Sequence, residues 1–166
     1  LHQEMPPVPV GDWAEFWAPH HDPFRPDCLS GKINPRVLHR ARAGYYGHIS
    51  HIDHQLNRFL ESVREFGAHE NTWVCFTSDH GELMGDHHLF RKQLGYEGSA
   101  RVPFILAQPY GKSAIKGNTI CSEPVELRDV MPTLLQCAGL PVPESVEGRS
   151  VLPLACAALA MRAAAS

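Results

Sequence analysis

The chain has 166 residues, 43% of them apolar, which is the length of one ordinary domain with enough apolar content to build a core. Its formal charge of −3 and isoelectric point near 6.4 lack the basic excess of a nucleic-acid or membrane-surface binder, so any anion site must be local. Cys28, Cys75, Cys121, Cys137 and Cys156 are scattered, odd in number and never in a C-x-x-C pair. They indicate buried thiols rather than a disulfide framework or zinc knuckle.

Leu1 is neither an initiating Met nor the start of a basic-then-apolar leader. That predicts a piece of a longer protein, whose compartment these residues do not reveal. Residues 1–34 are rich in Pro, His and Trp without a sustained period and predict a loop-like lead-in. Asn34-Pro35 supplies an N-cap followed by proline at the first helical position, so a long helix begins there. Tyr45, Ile49, Ile52, Leu56, Phe59 or Leu60, and Val63 form its apolar stripe, and Gly67 is its C-cap. The opposite face carries His48, His51, Asp53, His54 and Asn57.

After a turn at 68–71, the β-branched and aromatic run Thr72–Thr77 predicts a buried strand, with its ligand-bearing end at Ser78-Asp79-His80-Gly81. An irregular stretch continues to Gly98. Residues 101–107 predict a second buried strand despite Pro103, residues 108–118 a surface loop, and residues 119–121 a short third strand. Asp129 is the expected N-cap of a helix through Ala138, with Pro132 in its first turn and Gly139 as its stop. A turn-rich connection spans 141–149, and an Ala-rich tail closes the chain. The order predicts an α/β fold without an internal repeat. No stretch of 18 apolar residues is present that would span a membrane.

The chemistry concentrates at 79–99. Adjacent strand residues point to opposite faces, but beyond the strand a turn at Gly81 can bring Asp79 and His80 to one ion. Asp79 could equally cap a helix starting near Gly81. Lys92, on a polar loop, is either a solvated lysine or the cation that meets an anionic ester. Residues 96–99 predict a turn in which Glu97 accepts a hydrogen bond from backbone or from a cation. Asp86-His87-His88 offers further imidazoles, and His48, His51 and His54 read as a polar helix face. No Ser-His-Asp order, nucleophile elbow, Walker loop or dinucleotide fingerprint occurs.

Thr77-Ser78-Asp79-His80-Gly81-Glu82, Met84-Gly85-Asp86-His87, Lys92 with Tyr96-Glu97-Gly98-Ser99-Ala100-Arg101-Val102-Pro103, Asp129-Val130-Met131-Pro132-Thr133-Leu134-Leu135, Ala138-Gly139-Leu140-Pro141 and Glu147-Gly148-Arg149-Ser150 together resemble the sulfatases of the alkaline phosphatase superfamily. The resemblance covers about residues 36–153. It implies that residues 1–153 are the C-terminal part of a sulfatase catalytic domain, with 1–34 as lead-in and 154–166 as tail. The implied fold is a partial alkaline-phosphatase-like sandwich, with helices packed on a mixed β-sheet. It also implies a divalent cation, usually calcium, with Asp79 and His80 as metal ligands and Lys92 as the catalytic and sulfate-contacting residue. The implied partner is a small-molecule or carbohydrate sulfate ester.

Two departures qualify the resemblance. The family's nucleophile is a formylglycine made in a C/S-x-P-x-R motif, yet Cys28 is followed by Leu-Ser-Gly-Lys and Ser122 by Glu-Pro-Val-Glu. The early paired aspartates are missing as well, so the chain alone is expected to be inactive. Where many calcium sulfatases have Asp-Asn, this chain has Asp79-His80; imidazole suits manganese, iron or zinc better than calcium. The Asp-His form also resembles the superfamily's phosphonate monoester hydrolases, an alternative alongside a phosphate ester hydrolase and a non-catalytic homologue.

Overall fold

The long helix starts where the Asn34-Pro35 step directs. Asn34 Oδ1 accepts the Arg36 N–H at 2.9 Å, its carbonyl accepts the Leu38 N–H at 3.0 Å, and Pro35 fills the first position, where no N–H is needed. Helix α1 spans Pro35–Glu65 and is stopped by Gly67, whose φ of 69° is left-handed. The computed structural model describes residues 30–115 and 117–156, with Pro7, Val10 and Gly11. The lead-in with Cys28, and the tail beyond residue 156, lie outside the described residues. No described helix is long and apolar enough to cross a membrane.

The described residues fall into two units, residues 1–62 with 78–103 and residues 63–77 with 104–166. In the first, Leu83 and Leu89 are the buried apolar side chains. Near its start α1 meets this loop, and Leu38 lies so close to Gly85 that a Cβ there would come within 2.7 Å of it. The stripe expected to be the buried face of α1 is largely uncovered: Ile49, Ile52 and Phe59 are 48%, 52% and 62% exposed, and the most buried residue of the helix is Arg42. The physical reason is that an apolar stripe is buried only where other chain covers it, and these positions stay open to solvent.

In the second unit, strands β1 (Val74–Thr77) and β2 (Phe104–Ala107) pair antiparallel, with Val74 opposite Ala107 and Thr77 opposite Phe104. The architecture is α/β. Both strands are shorter than expected for local reasons. The Thr72 hydroxyl donates to the Ala68 carbonyl at 2.7 Å, closing the turn before β1, and Pro103 has no N–H to give a ladder. Neither strand is fully buried; Phe76 is 37% and Ile105 58% exposed. Residues 119–121 form no strand, and Ile120 is 97% exposed.

A 3₁₀ turn at Leu127–Asp129 leads into α3 (Val130–Cys137); the single-turn helix α2 is Glu97–Ala100. Asp129 is not the side-chain cap of α3. Its carboxylate turns back to accept the Glu126 N–H at 2.9 Å and reaches the Arg149 N–H at 2.8 Å. The Thr133 hydroxyl donates to the Asp129 carbonyl at 2.6 Å and accepts the Val151 N–H at 2.9 Å. Gly139, at φ 70°, ends α3 in a Schellman arrangement, with Leu140 N–H on the Leu135 carbonyl and Gly139 N–H on the Gln136 carbonyl. Cys121 is exposed, whereas Cys75 and Cys137 are half-buried. Burial raises the pKa of the Cys75 and Cys137 thiols.

Candidate functional site

Beyond Thr77 the chain does not start a helix at Gly81, so Asp79 is not a helix cap. Instead the Gly81 N–H donates to the Ser99 carbonyl at 2.8 Å and the Glu82 N–H to the Gly98 carbonyl at 2.7 Å. This close approach needs glycine at 81 and leaves tight quarters for any side chain at 98. A Cβ on Gly81 would collide with the Gly98 carbonyl oxygen, and one on Gly98 would sit 3.2 Å from the Glu82 carbonyl oxygen and 3.1 Å from Asp86 Oδ2. Ser99, 4% exposed, donates its hydroxyl to the carbonyls of Leu94 and Tyr96. Of residues 96–99, expected as a turn, Tyr96 is the extended N-cap residue and 97–99 lie in α2, and the cation that Glu97 meets is Arg101 at 3.6 Å on the exposed surface.

The segment from Gly81 to Lys92 folds back on itself. Leu83 N–H reaches the Arg91 carbonyl at 2.8 Å, Gly85 N–H the Leu89 carbonyl at 2.7 Å, and Asp86 N–H the Leu83 carbonyl at 2.8 Å. Two buried leucines, Leu83 and Leu89, anchor it. Asp86 and His87 turn inward on it and His87 lies against the Tyr96 ring, centroids 5.0 Å apart. Burial raises the Asp86 pKa, against the opposing charges of Arg42 and His87.

That fold-back brings the three sequence-selected side chains together. Lys92 Nζ is 2.5 Å from His80 Nε2, and Asp79 Oδ2 is 3.4 Å from the same nitrogen. The imidazole is oriented from its other side, with Nδ1 2.9 Å from the Gly81 carbonyl oxygen. An ammonium has only hydrogens to offer, so Nε2 accepts and the ring proton resides on Nδ1, donated to Gly81. Ser78 Oγ donates to the His80 carbonyl at 2.7 Å, and the His80 N–H donates to Asp79 Oδ1 at 3.0 Å. The Asp79 side chain is 84% exposed and that of His80 36%, so both open to solvent.

Asp79 Oδ2 and His80 Nε2 are one oxygen and one nitrogen donor side by side, a combination that suits a divalent cation once Lys92 Nζ moves off the Nε2 lone pair it occupies here. Among the described residues no third His, Cys, Asp or Glu joins them as a ligand group. The pair fits part of a metal shell. Glu82 stands out only in three dimensions: its Oε1 accepts the Arg91 N–H at 2.5 Å and the Met84 N–H at 3.2 Å. No side-chain pattern in the sequence announces those backbone partners.

A family model described as Sulfatase matches residues 13–140. An arylsulfatase of Clostridium perfringens is 46% identical over 152 residues, covering 92% of this chain and 32% of that protein. The chain thus spans about a third of that relative. A phosphonate monoester hydrolase from Silicibacter pomeroyi superposes with a TM-score of 0.69 at 30% identity, over 76% of this chain and 24% of that one. A protein solved in complex with its substrate D-glucosamine-2-N,6-O-disulfate superposes with a TM-score of 0.59 at 33% identity, over 64% of this chain and 21% of that one.

Proposed function

Because the chain belongs to the sulfatase family, we propose that it forms part of the active site of a sulfuric ester hydrolase, with Asp79 and His80 as ligands of a divalent cation and Lys92 as the residue that contacts the sulfate. The convergence of carboxylate, imidazole and ammonium within hydrogen-bonding reach supports this reading. Cleavage of a sulfate ester S–O bond builds negative charge on the leaving oxygen. A fixed ammonium beside the ester stabilises that charge more in the transition state than in the ground state.

Lys92 projects its three N–H donors from a loop pinned at both ends, which lowers the reorganisation needed as charge develops. Asp79 and His80 would hold the cation, calcium or a transition metal such as manganese, which when bound neutralises ester oxygens. The sequence contains no C-x-P-x-R or S-x-P-x-R string, so the attacking group, a formylglycine in this reading, comes from outside these 166 residues. The substrate class is a small-molecule or carbohydrate sulfate ester; a structural neighbour with a disulfated glucosamine substrate supports the carbohydrate.

A chimera tests the assignment: this chain replaces the matching third of the Clostridium perfringens arylsulfatase. Hydrolysis of an aryl sulfate is expected, and Lys92→Met should lower kcat about 10²- to 10³-fold, as loss of one preorganised charge contact does. A change under threefold would remove Lys92 from the reaction. Asp79→Asn should lower metal content and turnover together, which metal analysis separates from a purely chemical defect.

The second reading is a phosphonate monoester hydrolase, favoured by the Asp79-His80 pair and by the superposition on such an enzyme. The two separate on a panel of aryl sulfates and aryl phosphonate monoesters. A higher kcat/KM on the sulfates supports the first, and the reverse order the second.

A further inference from the structure

We propose that Glu82 is a positioning residue that aims Lys92 at His80, by clamping the backbone of Arg91 with its carboxylate. Arg91 immediately precedes Lys92, and its φ of 65° lies in the left-handed region that a side-chain-bearing residue avoids unless held there. Both of its backbone groups are held. Its N–H donates to Glu82 Oε1 at 2.5 Å, and its carbonyl accepts the Leu83 N–H at 2.8 Å.

Glu82 is itself fixed, since its N–H donates to the Gly98 carbonyl at 2.7 Å and the same Oε1 accepts the Met84 N–H at 3.2 Å. The chain of contacts closes on itself: Glu82 holds Arg91, Arg91 sets the direction of Lys92, and Lys92 Nζ reaches Nε2 of His80, two residues before Glu82. A carboxylate oxygen is well suited to this clamp. It accepts two N–H groups at once, and hydrogen bonds to an ionised acceptor are stronger than neutral ones. Without it, Arg91 can relax to an ordinary right-handed or extended backbone, which redirects the side chain that follows. A displacement of about 1 Å at a reacting group is enough to cost a hundredfold in rate.

The consequence for turnover rests on the proposed sulfatase reading, whereas the clamp itself does not, and the experiment keeps the two apart. In the 166-residue chain labelled at lysine and histidine, NMR should show a cross-peak between the Lys92 Hε protons and the His80 Hε1 proton. Glu82→Ala should abolish it while the amide shifts of Gly81 and Ser99 stay in place; a retained cross-peak overturns the proposal. Should Glu82→Ala unravel the loop and move those shifts, Glu82→Gln decides. Glutamine keeps the acceptor oxygen and should keep the cross-peak, so its loss in a folded Glu82→Gln chain overturns the clamp.

In the chimera, Glu82→Ala should lower kcat about 10- to 100-fold with KM changed less than threefold, and Glu82→Gln should restore most of the rate. If Lys92→Met leaves turnover unchanged, the sulfatase role of Lys92 fails, but the cross-peak still decides whether Glu82 aims it.

Discussion

Lysine on a polar loop is ordinarily a solvated side chain, and Lys92 is exposed as that rule expects; what sets it apart is the fold-back of its loop, which brings its ammonium to His80. The candidate trio is legible in the sequence: Asp79 and His80 follow a β-rich run, Lys92 precedes Tyr96-Glu97-Gly98-Ser99, and the order of these strings carries the family resemblance. Glu82 is present in the same string, but its partners are main-chain N–H groups two and nine residues on, and backbone partners leave no mark in side-chain pattern. The glycines are half legible. Gly81 can be read as a turn residue, yet its structural reason is the carbonyl of Gly98 against which it packs. Gly81→Ala is therefore expected to destabilise the first unit by about 1–3 kcal/mol, the usual range for overpacking, while Gly95→Ala, with open space around its Cβ position, should be close to neutral. Urea unfolding of the two variants checks the contrast; equal midpoints would show that the Gly81–Gly98 contact has slack.

Among the elements, those marked by punctuation are read most closely. Asn34-Pro35, Gly67 and Gly139 fix helix ends because each meets a local stereochemical demand that no distant residue can alter. The strands are less legible, since hydrophobicity predicts burial only when something covers the face, and Phe76 and Ile105 remain exposed. Asp129 shows the same limit at a helix start: its residue type marks a cap, but its actual partners include Arg149, 20 residues on. Partial burial would raise the Asp129 pKa, but the N–H groups of Arg149 and Glu126 and the charges of Arg128 and Arg149 outweigh it and leave the pKa lowered. A folded-state pKa below the unfolded value of about 3.9 gives stability that is complete above that value and is lost as pH falls through the folded one. Asp129→Ala should thus cost about 1 kcal/mol at neutral pH, the usual loss when a side-chain acceptor of solvent-accessible backbone N–H groups at a helix start is removed. The difference from the parent chain should shrink steadily below pH 4 in urea titrations. A pH-independent difference would assign the loss to packing instead.

At the scale of the whole molecule, the α/β class is legible from element order, but the sparse burial is not. Among the described residues, the buried apolar side chains are Leu83 and Leu89 in one unit and Ile115 and Val151 in the other. The proposed metal donors, Asp79 and His80, are joined by no third His, Cys, Asp or Glu among the described residues. Two side-chain ligands fall well short of the six to eight oxygens calcium takes, so the isolated chain should bind calcium or manganese with Kd of about 10⁻³ M or weaker and should not turn over aryl sulfates. Calorimetric titration tests this, and submicromolar binding would reveal ligands beyond Asp79 and His80. One feature of the first unit bears on how it comes apart. Met84, His87, His88 and Arg91 all hold positive φ, at about 1 kcal/mol or more for each side-chain-bearing residue. Their sum of about 4 kcal/mol is comparable with much of the 5–15 kcal/mol that keeps a typical domain folded. The segment is thus a loaded spring behind a latch of interlocked hydrogen bonds, and release of one bond hands its tension to the next, so that it stays shut or springs open as a whole.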